Sequence, residues 1–494
     1  MSVLWEKIET YAGTQAELPA VVGIYKTYSW LELYKLTIEV AQQLQAAPYK
    51  VIGFYADNSP EWVIVDLACR MADVTLLPLP AFFSDQQLRH AIRQAGVTAI
   101  LNTNGDRLSK LLSLNNEKGL RLSLLGFALN TFEQPVTALP ATTAKITFTS
   151  GSTGHPKGVC LSNDQQQRVA QSLLSATELI APKHLSILPF TTLLENIGGI
   201  DAPLLGGGTI IALPESSLGF NGSSGFELNT LLATISQYQP NSMILLPELL
   251  MALVAAIDKG WLPPSSLKFI AIGGSKVSPS LLERAQALGL PVYEGYGLSE
   301  CGSVVSLNSP SEMKLGTIGK VLPHLNVTIE QGEIVVAGNT FLGYINEPDS
   351  WFKDKVYTGD LGFFDDNDYL HINGRKKNLL ISSFGRNMNP EWLESELLSS
   401  GLLQQCVVFG DAKPYCVSLL YPRDNNTSDE TIQLLIDSVN QQLPNYAQIV
   451  KWIKLAEPMS FANNLLTSNG RPVREQILHH YAQRIEQLYV KDLQ

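Results

Sequence analysis

Residues 146–162 read ITFTSGSTGHPKGVCLS: a strand-like run that opens into small and hydroxylated residues, Thr149, Ser150, Gly151, Ser152, Thr153 and Gly154, followed by Lys157. Side chains this small let backbone N–H groups approach an anion closely, hydroxyls donate to phosphate oxygens, and the lysine adds a flexible positive charge. The segment reads as a triphosphate cradle at the end of a strand. Gly-x-x-x-x-Gly-Lys-Ser/Thr cannot be laid over it, so it is not a Walker A loop. Composition alone would allow a Ser/Gly/Thr linker; the ordered string decides between the two.

The strand rhythm continues on both sides. VIGFYA (51–56), VTLLPLP (74–80) and VTAILNT (97–103) precede the loop, and LSILPF (185–190), TIIALP (209–214), NSMILLP (241–247), FIAIGG (269–274) and VYEGYG (292–297) follow it. Helical stretches such as EWVIVDLACRMA (61–72) lie between them, and such alternation predicts parallel α/β sheets with ligand sites at the strand ends. Ser29 and Glu32 have capping-box spacing, which places the start of a first helix at WLELYKLTIEVAQQL. After about residue 315, VTIEQGEIVVAG and GFFDDNDYLHING alternate as antiparallel strands, predicting a small barrel-like part. A smaller α+β unit follows, ending in a helix with Val473, Ile477, Tyr481, Ile485 and Leu488 on one face. The expected division is a large α/β N-terminal domain over 1–375 and a smaller α+β C-terminal domain over 376–494. SSLGFNGSSGF (216–226) and PRDNNTSDE (422–430) read as mobile surface loops.

Of the 494 residues, 45% are hydrophobic and 16% charged, the balance of a globular chain with several cores. Acidic side chains outnumber basic ones 46 to 35, for a formal charge of −11, and no basic run is present. No nucleic-acid partner is therefore expected. Cys69, Cys160, Cys301, Cys406 and Cys416 make no close pair and no metal-ligand spacing, which predicts buried thiols in a reducing compartment. Glu6 and Lys7 precede any apolar run long enough for a signal peptide, and the apolar stretch Met243–Ile257 is broken by Pro247 and Glu248. No transmembrane segment is expected, and the expected location is cytoplasmic.

T-S-G-S-T-G-x-P-K-G at 149–158 resembles the phosphate loop of the adenylate-forming superfamily, which contains acyl-CoA synthetases, adenylation enzymes and beetle luciferases. At average residue usage nine specified positions coincide with probability on the order of 10⁻¹¹ per start point, which removes chance as a reading. PVYEGYGLSE (291–300) resembles the second nucleotide motif of that superfamily. The resemblance implies that Tyr296 stacks on adenine, with Glu294, Gly297 and the backbone at Gly273 and Gly274 near the nucleotide. It also implies that Ser299 bonds the α-phosphate and that Glu300 holds Mg²⁺ together with phosphate oxygens.

VYTGDLGFFDDNDYLHINGRKKN (356–378) resembles the next motifs. By that likeness Asp360 takes the ribose hydroxyls, Arg375 adds a charged donor to the sugar or phosphate, and Lys377 is the hinge about which the C-terminal domain rotates between adenylating and thioester-forming arrangements. SSFGRNMNPEWLESEL, with Gly385, Asn387, Pro390 and Glu394, resembles the segment presented to the site in the second arrangement.

Two places depart from the superfamily pattern. ILPFTTLLENIGG (187–199) resembles L-P-x-x-H-x-x-E of fatty-acyl synthetases, with Thr192 in place of the histidine. LLTSNGRPVRE (465–475) resembles L-T-x-x-x-K-x-x-R, whose lysine serves the carboxylate and α-phosphate; Thr467 and Arg474 fix the register, and position 471 is arginine. Arg471 can supply a permanent positive charge, though its planar fork is aimed differently from an ammonium.

The activity implied is ATP-dependent formation of an acyl-AMP with release of pyrophosphate, then transfer to a thiol, with Lys157, Ser299, Glu300 and Arg471 as the catalytic set. GGSKVSPSLLERAQALGLPVYEGYGLSE resembles medium- and long-chain acyl-CoA synthetases, which points to a fatty acid. The Phe-Asp-x-Ser pattern of amino-acid-activating relatives is absent. The expected acceptor is CoA, the alternative being the phosphopantetheine of a discrete acyl carrier protein. A non-catalytic adenylate-binding relative is the rival that Arg471 raises.

Overall fold

A computed structural model describes residues 2–46, 49–103, 106–112, 121–122, 125–131, 137–149, 157–221, 225–381, 383, 386–467 and 470–490. Ser150, Gly151, Ser152, Thr153 and Gly154 of the phosphate-loop string, and Gly385, lie outside the described residues.

Among the described residues two large sheets form the N-terminal part. One has eight strands in the spatial order Gly343–Tyr344, Lys157–Leu161, Lys145–Thr149, Thr75–Pro78, Val51–Tyr55, Ala99–Asn102, Phe127–Thr131, Arg121–Leu122. The other has nine, in the order Lys320–Val321, Ser306–Leu307, Val292–Tyr296, Phe269–Ile272, Ser242–Leu245, Lys183–Leu185, Thr209–Ile211, Pro19–Val22, Thr27–Ser29. The central strands are parallel, as the predicted alternation requires. Successive side chains point to opposite faces, and both faces are covered, so these strands read as continuous apolar runs. Ile52, Phe54, Leu76 and Leu101 share one core with Ile210, Ala212 and Phe269 of the second sheet, and with residues of the helices Trp30–Gln45, Pro60–Met71 and Asn163–Thr177. Val51, Leu77 and Ile100 turn outward onto Leu88, Ala91 and Ile92. Met243, Leu245, Ile270 and Ile272 turn outward in the second sheet onto Leu250, Leu253 and Leu282. Five layers result, helices outside and between two sheets.

That central apolar layer also holds charges. Arg70 lies 2.6 Å from Asp66 and 2.7 Å from Asp201, and Lys145 lies 2.7 Å from Asp66 and donates to Asn196. Asp66 and Asp201 are fully buried, and Lys145 is 1% exposed. Burial pushes the Lys145 ammonium down to about 8, the Arg70 charge acting in the same direction and Asp66 opposing it.

A third, four-stranded antiparallel sheet follows, in the order Leu325–Glu330, Glu333–Gly338, Lys355–Phe364, Leu370–Arg375. The C-terminal part is a three-stranded sheet, Leu403–Phe409, Cys416–Pro422 and Ile449–Lys454. Pro390–Ser399 and Asp429–Asn440 cover one face through Leu393, Leu397, Ile432 and Ile436. Arg474–Val490 covers the other through Ile477, Ile485 and Tyr489, with Tyr481 and Leu488 packed against it.

Ser29 and Glu32 form the predicted capping box, with Ser29 N donating to Glu32 Oε2 at 2.8 Å. It is not the start of the first helix: Val3–Thr14 precedes it, capped by Ser2 and buried only along Leu4, Ile8 and Ala12. The stretch predicted as a mobile loop at 216–226 is partly ordered. Glu215–Leu218 is a 3₁₀ turn with Leu218 fully buried, and Phe220–Asn221 pairs with Gly225–Phe226. Leu218 and the Phe220 and Phe226 rings, 5.1 Å apart, supply the apolar anchoring that the Gly/Ser composition hides. All five cysteines are buried and unpaired. Among the described residues no helix is long and apolar enough to cross a membrane.

Candidate active site

The strand Val292–Tyr296 ends where its chain must reverse tightly. A Cβ on Gly297 would stand 1.7 Å from the Ser303 carbonyl oxygen, so only glycine fits there. The reversal carries a short 3₁₀ turn, Ser299–Cys301, which sets Ser299 and Glu300 at the strand's carboxyl end. The neighbouring strand Phe269–Ile272 ends in Gly273 and Gly274, the latter at φ +85°. These are the strand ends at which α/β sheets bind ligands.

The four-stranded sheet brings in the next pair. Asp360 and Arg375 are directly opposite on antiparallel strands, and Arg375 Nε lies 2.7 Å from Asp360 Oδ1. The Tyr296 phenol donates to Asp360 Oδ2 at 2.5 Å. Burial pushes the Asp360 carboxyl up, against the pull of Arg375 and the Tyr296 hydrogen bond. Burial and the Asp360 charge push the Tyr296 phenol well above its usual value. A carboxylate offers about four lone-pair directions, so Asp360 keeps acceptor capacity on both oxygens.

Glu294 lies on the same strand as Tyr296. Burial pushes its carboxyl up to about 8, opposed by the Lys276 ammonium and by a hydrogen bond from the Val277 backbone. Burial pushes Lys276 down, and Glu294, Glu391 and Glu396 oppose that shift. The two glutamates at 391 and 396 belong to the C-terminal helix Pro390–Ser399, and Ser278 Oγ donates to Glu396 Oε2 at 3.2 Å. The C-terminal part therefore rests against this edge of the site.

Arg471 arrives from that part. Thr467 N donates to Arg471 O at 2.7 Å and Arg471 N to Thr467 Oγ1 at 3.0 Å, beside the Leu466–Pro472 bridge. The Arg471 guanidinium donates to the Gly274 carbonyl. Its charged neighbours are Arg375, Glu391, Asp360 and Glu248.

On the other side, Lys157 pairs with Glu347 at 3.0 Å, and its strand neighbour across the ladder is Thr149. Glu300 Oε1 accepts from the Tyr344 hydroxyl at 2.9 Å. Among the described residues no group of three or more His, Cys, Asp and Glu side chains could hold a metal. Glu300 is a single carboxylate at this strand end, the donor type that a hard divalent ion can take together with phosphate oxygens and water.

The structure thus joins Tyr296, Asp360 and Arg375 by direct contacts and Arg471 to Gly274 by another, with Arg375 and Asp360 among the charged neighbours of Arg471. Lys377 lies two residues beyond the strand Leu370–Arg375, between the two parts of the chain. Glu394 faces the interior of the C-terminal part in this structure. It is buried, and Arg474 Nη2 contacts its two carboxylate oxygens at 2.6 and 2.5 Å while Val408 N donates to it at 2.7 Å, so it ties the C-terminal domain together. Thr192 precedes the short helix Leu193–Glu195, which continues into a π-helical turn, Asn196–Asp201. Sequence reasoning missed Tyr344, Glu347 and Lys276, for which no local pattern existed. It also missed the buried charges, although Asp66 and Arg70 at i,i+4 within an apolar helix were a visible signal.

The AMP-binding enzyme family profile matches residues 8–345, and the AMP-binding enzyme C-terminal domain profile matches 377–493. The chain is 28% identical to 2-succinylbenzoate–CoA ligase of Staphylococcus epidermidis over 76% of this chain and 78% of that protein. It is 23% identical to long-chain-fatty-acid–CoA ligase 1 of Cavia porcellus over 94% of this chain and 82% of that protein. A shorter match, 39% identical, joins 30% of this chain to 26% of long-chain-fatty-acid–CoA ligase FadD15 of Mycobacterium tuberculosis. The solved structure of o-succinylbenzoate CoA synthetase from Bacillus subtilis in complex with AMP superposes with a TM-score of 0.77 at 23% identity, covering 95% of this chain and 97% of that one. The profile over the sheets and the site-bearing strand ends, joined to that over the C-terminal part, leads to one conclusion: the chain belongs to the AMP-binding enzyme family of the adenylate-forming superfamily.

Proposed function

We propose that the protein is an AMP-forming acid–CoA ligase: a carboxylate attacks the α-phosphorus of ATP, pyrophosphate leaves, and the thiol of CoA then displaces AMP from the acyl-AMP. The observation that carries this reading is the contact of Arg471 with Gly274. It sets a permanent cation from the C-terminal part beside Asp360, Arg375 and the strand ends. Both nucleophiles arrive with the substrates, so the protein's task is positioning and charge stabilisation.

In this reading Tyr296 lies against the adenine, Glu294 and the Gly273–Gly274 backbone border it, and Asp360 accepts from the ribose hydroxyls while Arg375 holds the carboxylate in place. The segment from Thr149 to Lys157 covers the β- and γ-phosphates. Ser299 donates to the α-phosphate. Glu300 would hold Mg²⁺, which when bound neutralises charge on the phosphate oxygens. Arg471 faces the charge that develops on the α-phosphoryl group and withdraws when the C-terminal domain turns at Lys377, dividing the chain near 375.

A fatty acid is the proposed substrate. Support comes from the fatty-acyl-like stretch around 273–300 and from relatives named as long-chain-fatty-acid–CoA ligases. The 2-succinylbenzoate–CoA ligases among the relatives make an aromatic dicarboxylate the alternative. The test is to incubate the protein with ATP, Mg²⁺ and CoA, offer each acid in turn, and quantify AMP and acyl-CoA. One AMP per thioester with a fatty acid supports the reading; ADP formation, or thioester with 2-succinylbenzoate alone, overturns the mechanism or the substrate respectively.

A further inference from the structure

The segment 341–347 wraps around Glu300 by backbone and side chain together. Phe341 N donates to the Glu300 carbonyl at 2.8 Å, and the Tyr344 hydroxyl donates to Glu300 Oε1 at 2.9 Å. Tyr344 is itself pinned on both sides of its peptide unit: its N–H donates to Ser350 Oγ at 2.9 Å and its carbonyl accepts from Trp351 Nε1 at 2.8 Å. Gly343, at φ +135°, permits that approach, since a Cβ there would stand 2.5 Å from the Trp351 ring. The same Tyr344 ring has the Lys157 ammonium 4.6 Å from its centroid, and Glu347 pairs with that ammonium. One rigid side chain therefore touches both the carboxylate on the 299–301 turn and the lysine that closes the phosphate-loop string.

We propose that Tyr344 is a positioning residue for the metal-bearing half of the site, and that Glu347 is a parking partner that holds Lys157 until a triphosphate replaces it. The proposal rests on the adenylating reading above. The hydroxyl fixes Glu300 through one oxygen, and the other would be available to a divalent ion; such outer partners of ligating carboxylates set ligand orientation. The ring holds Lys157 by a cation–π contact that needs no counter-charge and so survives phosphate binding. The Lys157–Glu347 pair is half exposed, so it is weak enough to be exchanged for a phosphate.

The test is calorimetric ATP binding at stepped Mg²⁺ concentrations, without acid or turnover, on the wild type, Tyr344→Phe, Tyr344→Leu and Glu347→Gln. The expected result is that Tyr344→Phe needs about tenfold more Mg²⁺ for half-maximal ATP binding, with ATP affinity at saturating Mg²⁺ unchanged. Tyr344→Leu adds a loss of ATP affinity at saturating Mg²⁺, and Glu347→Gln tightens ATP about twofold. A wild type whose ATP binding ignores Mg²⁺ overturns the adenylating reading itself. A Mg²⁺-dependent wild type matched by Tyr344→Phe, or a Tyr344→Phe that loses both affinities together, overturns the positioning role alone.

Discussion

Arg471 donates a hydrogen bond to the carbonyl oxygen of Gly274, a residue 197 positions earlier in the chain. The contact spans the two parts of the protein and ends on the glycine that terminates the strand Phe269–Ile272. It sets the position at which the superfamily pattern has lysine against the strand ends of the second sheet. The first prediction is thus a division between half-reactions. Arg471→Ala is expected to slow acid-dependent acyl-AMP formation about 100-fold, the scale of removing one charge-stabilising donor. Thioester formation from supplied acyl-AMP should stay near the wild-type rate, and Arg471→Lys should retain adenylation. Single-turnover measurements of each half-reaction check this.

Asp360 joins Tyr296 and Arg375 by one carboxylate. Asp360→Asn removes the charged acceptor and leaves Arg375 without its partner. Hydrogen bonds to charged groups are worth about 1.5–3 kcal/mol, so ATP affinity should fall about 10- to 100-fold, as titration of the purified variant would show.

Glu294 gives a pH signature. Its folded-state pKa, raised to about 8 by burial, stands above the unfolded value near 4.5, so the folded protein binds the extra proton between the two. The stabilisation is complete below the unfolded value and is lost as pH rises through about 8. Glu294→Gln has no such proton to lose. Its unfolding free energy relative to wild type should therefore rise in the variant's favour between pH 5 and 8, as denaturant titrations at stepped pH would measure.

The buried charges predict a stability effect far from the nucleotide. Lys145→Met leaves Asp66 and Asp201 facing Arg70 alone in a fully buried layer. Breaking one side of such a network costs about 3–5 kcal/mol. Adding Asp66→Asn should restore part of that loss, because the surplus buried charge disappears, and a double-mutant cycle by chemical denaturation reads the coupling.

What could be read from the sequence follows from how local each signal is. The strands around Ile52, Leu76, Met243 and Ile270 announced themselves because burial on both faces leaves continuous apolar runs. Tyr296, Asp360 and Arg375 stood in ordered strings, yet that a single carboxylate joins all three depended on the register of two sheets, which no string contains. Val3–Thr14 escaped notice because only Leu4, Ile8 and Ala12 carry its buried stripe. Lys145 directly precedes the strand-like run that opens at Ile146, and nothing there marks it as buried; its partners Asp66 and Asn196 lie 79 and 51 residues away along the chain. Glu394 carried a motif likeness, while its buried pairing with Arg474 arises only when the C-terminal sheet packs.

The central claim is that this chain adenylates a carboxylic acid with arginine at position 471. The most direct measurement is acid-dependent exchange of pyrophosphate into ATP on the purified protein with Mg²⁺, across fatty, aromatic and amino acids. Exchange stimulated by a fatty acid and lost in Arg471→Ala is the expected result. ATP binding without exchange for any acid would contradict it and leave an adenylate-binding protein without the ligase reaction.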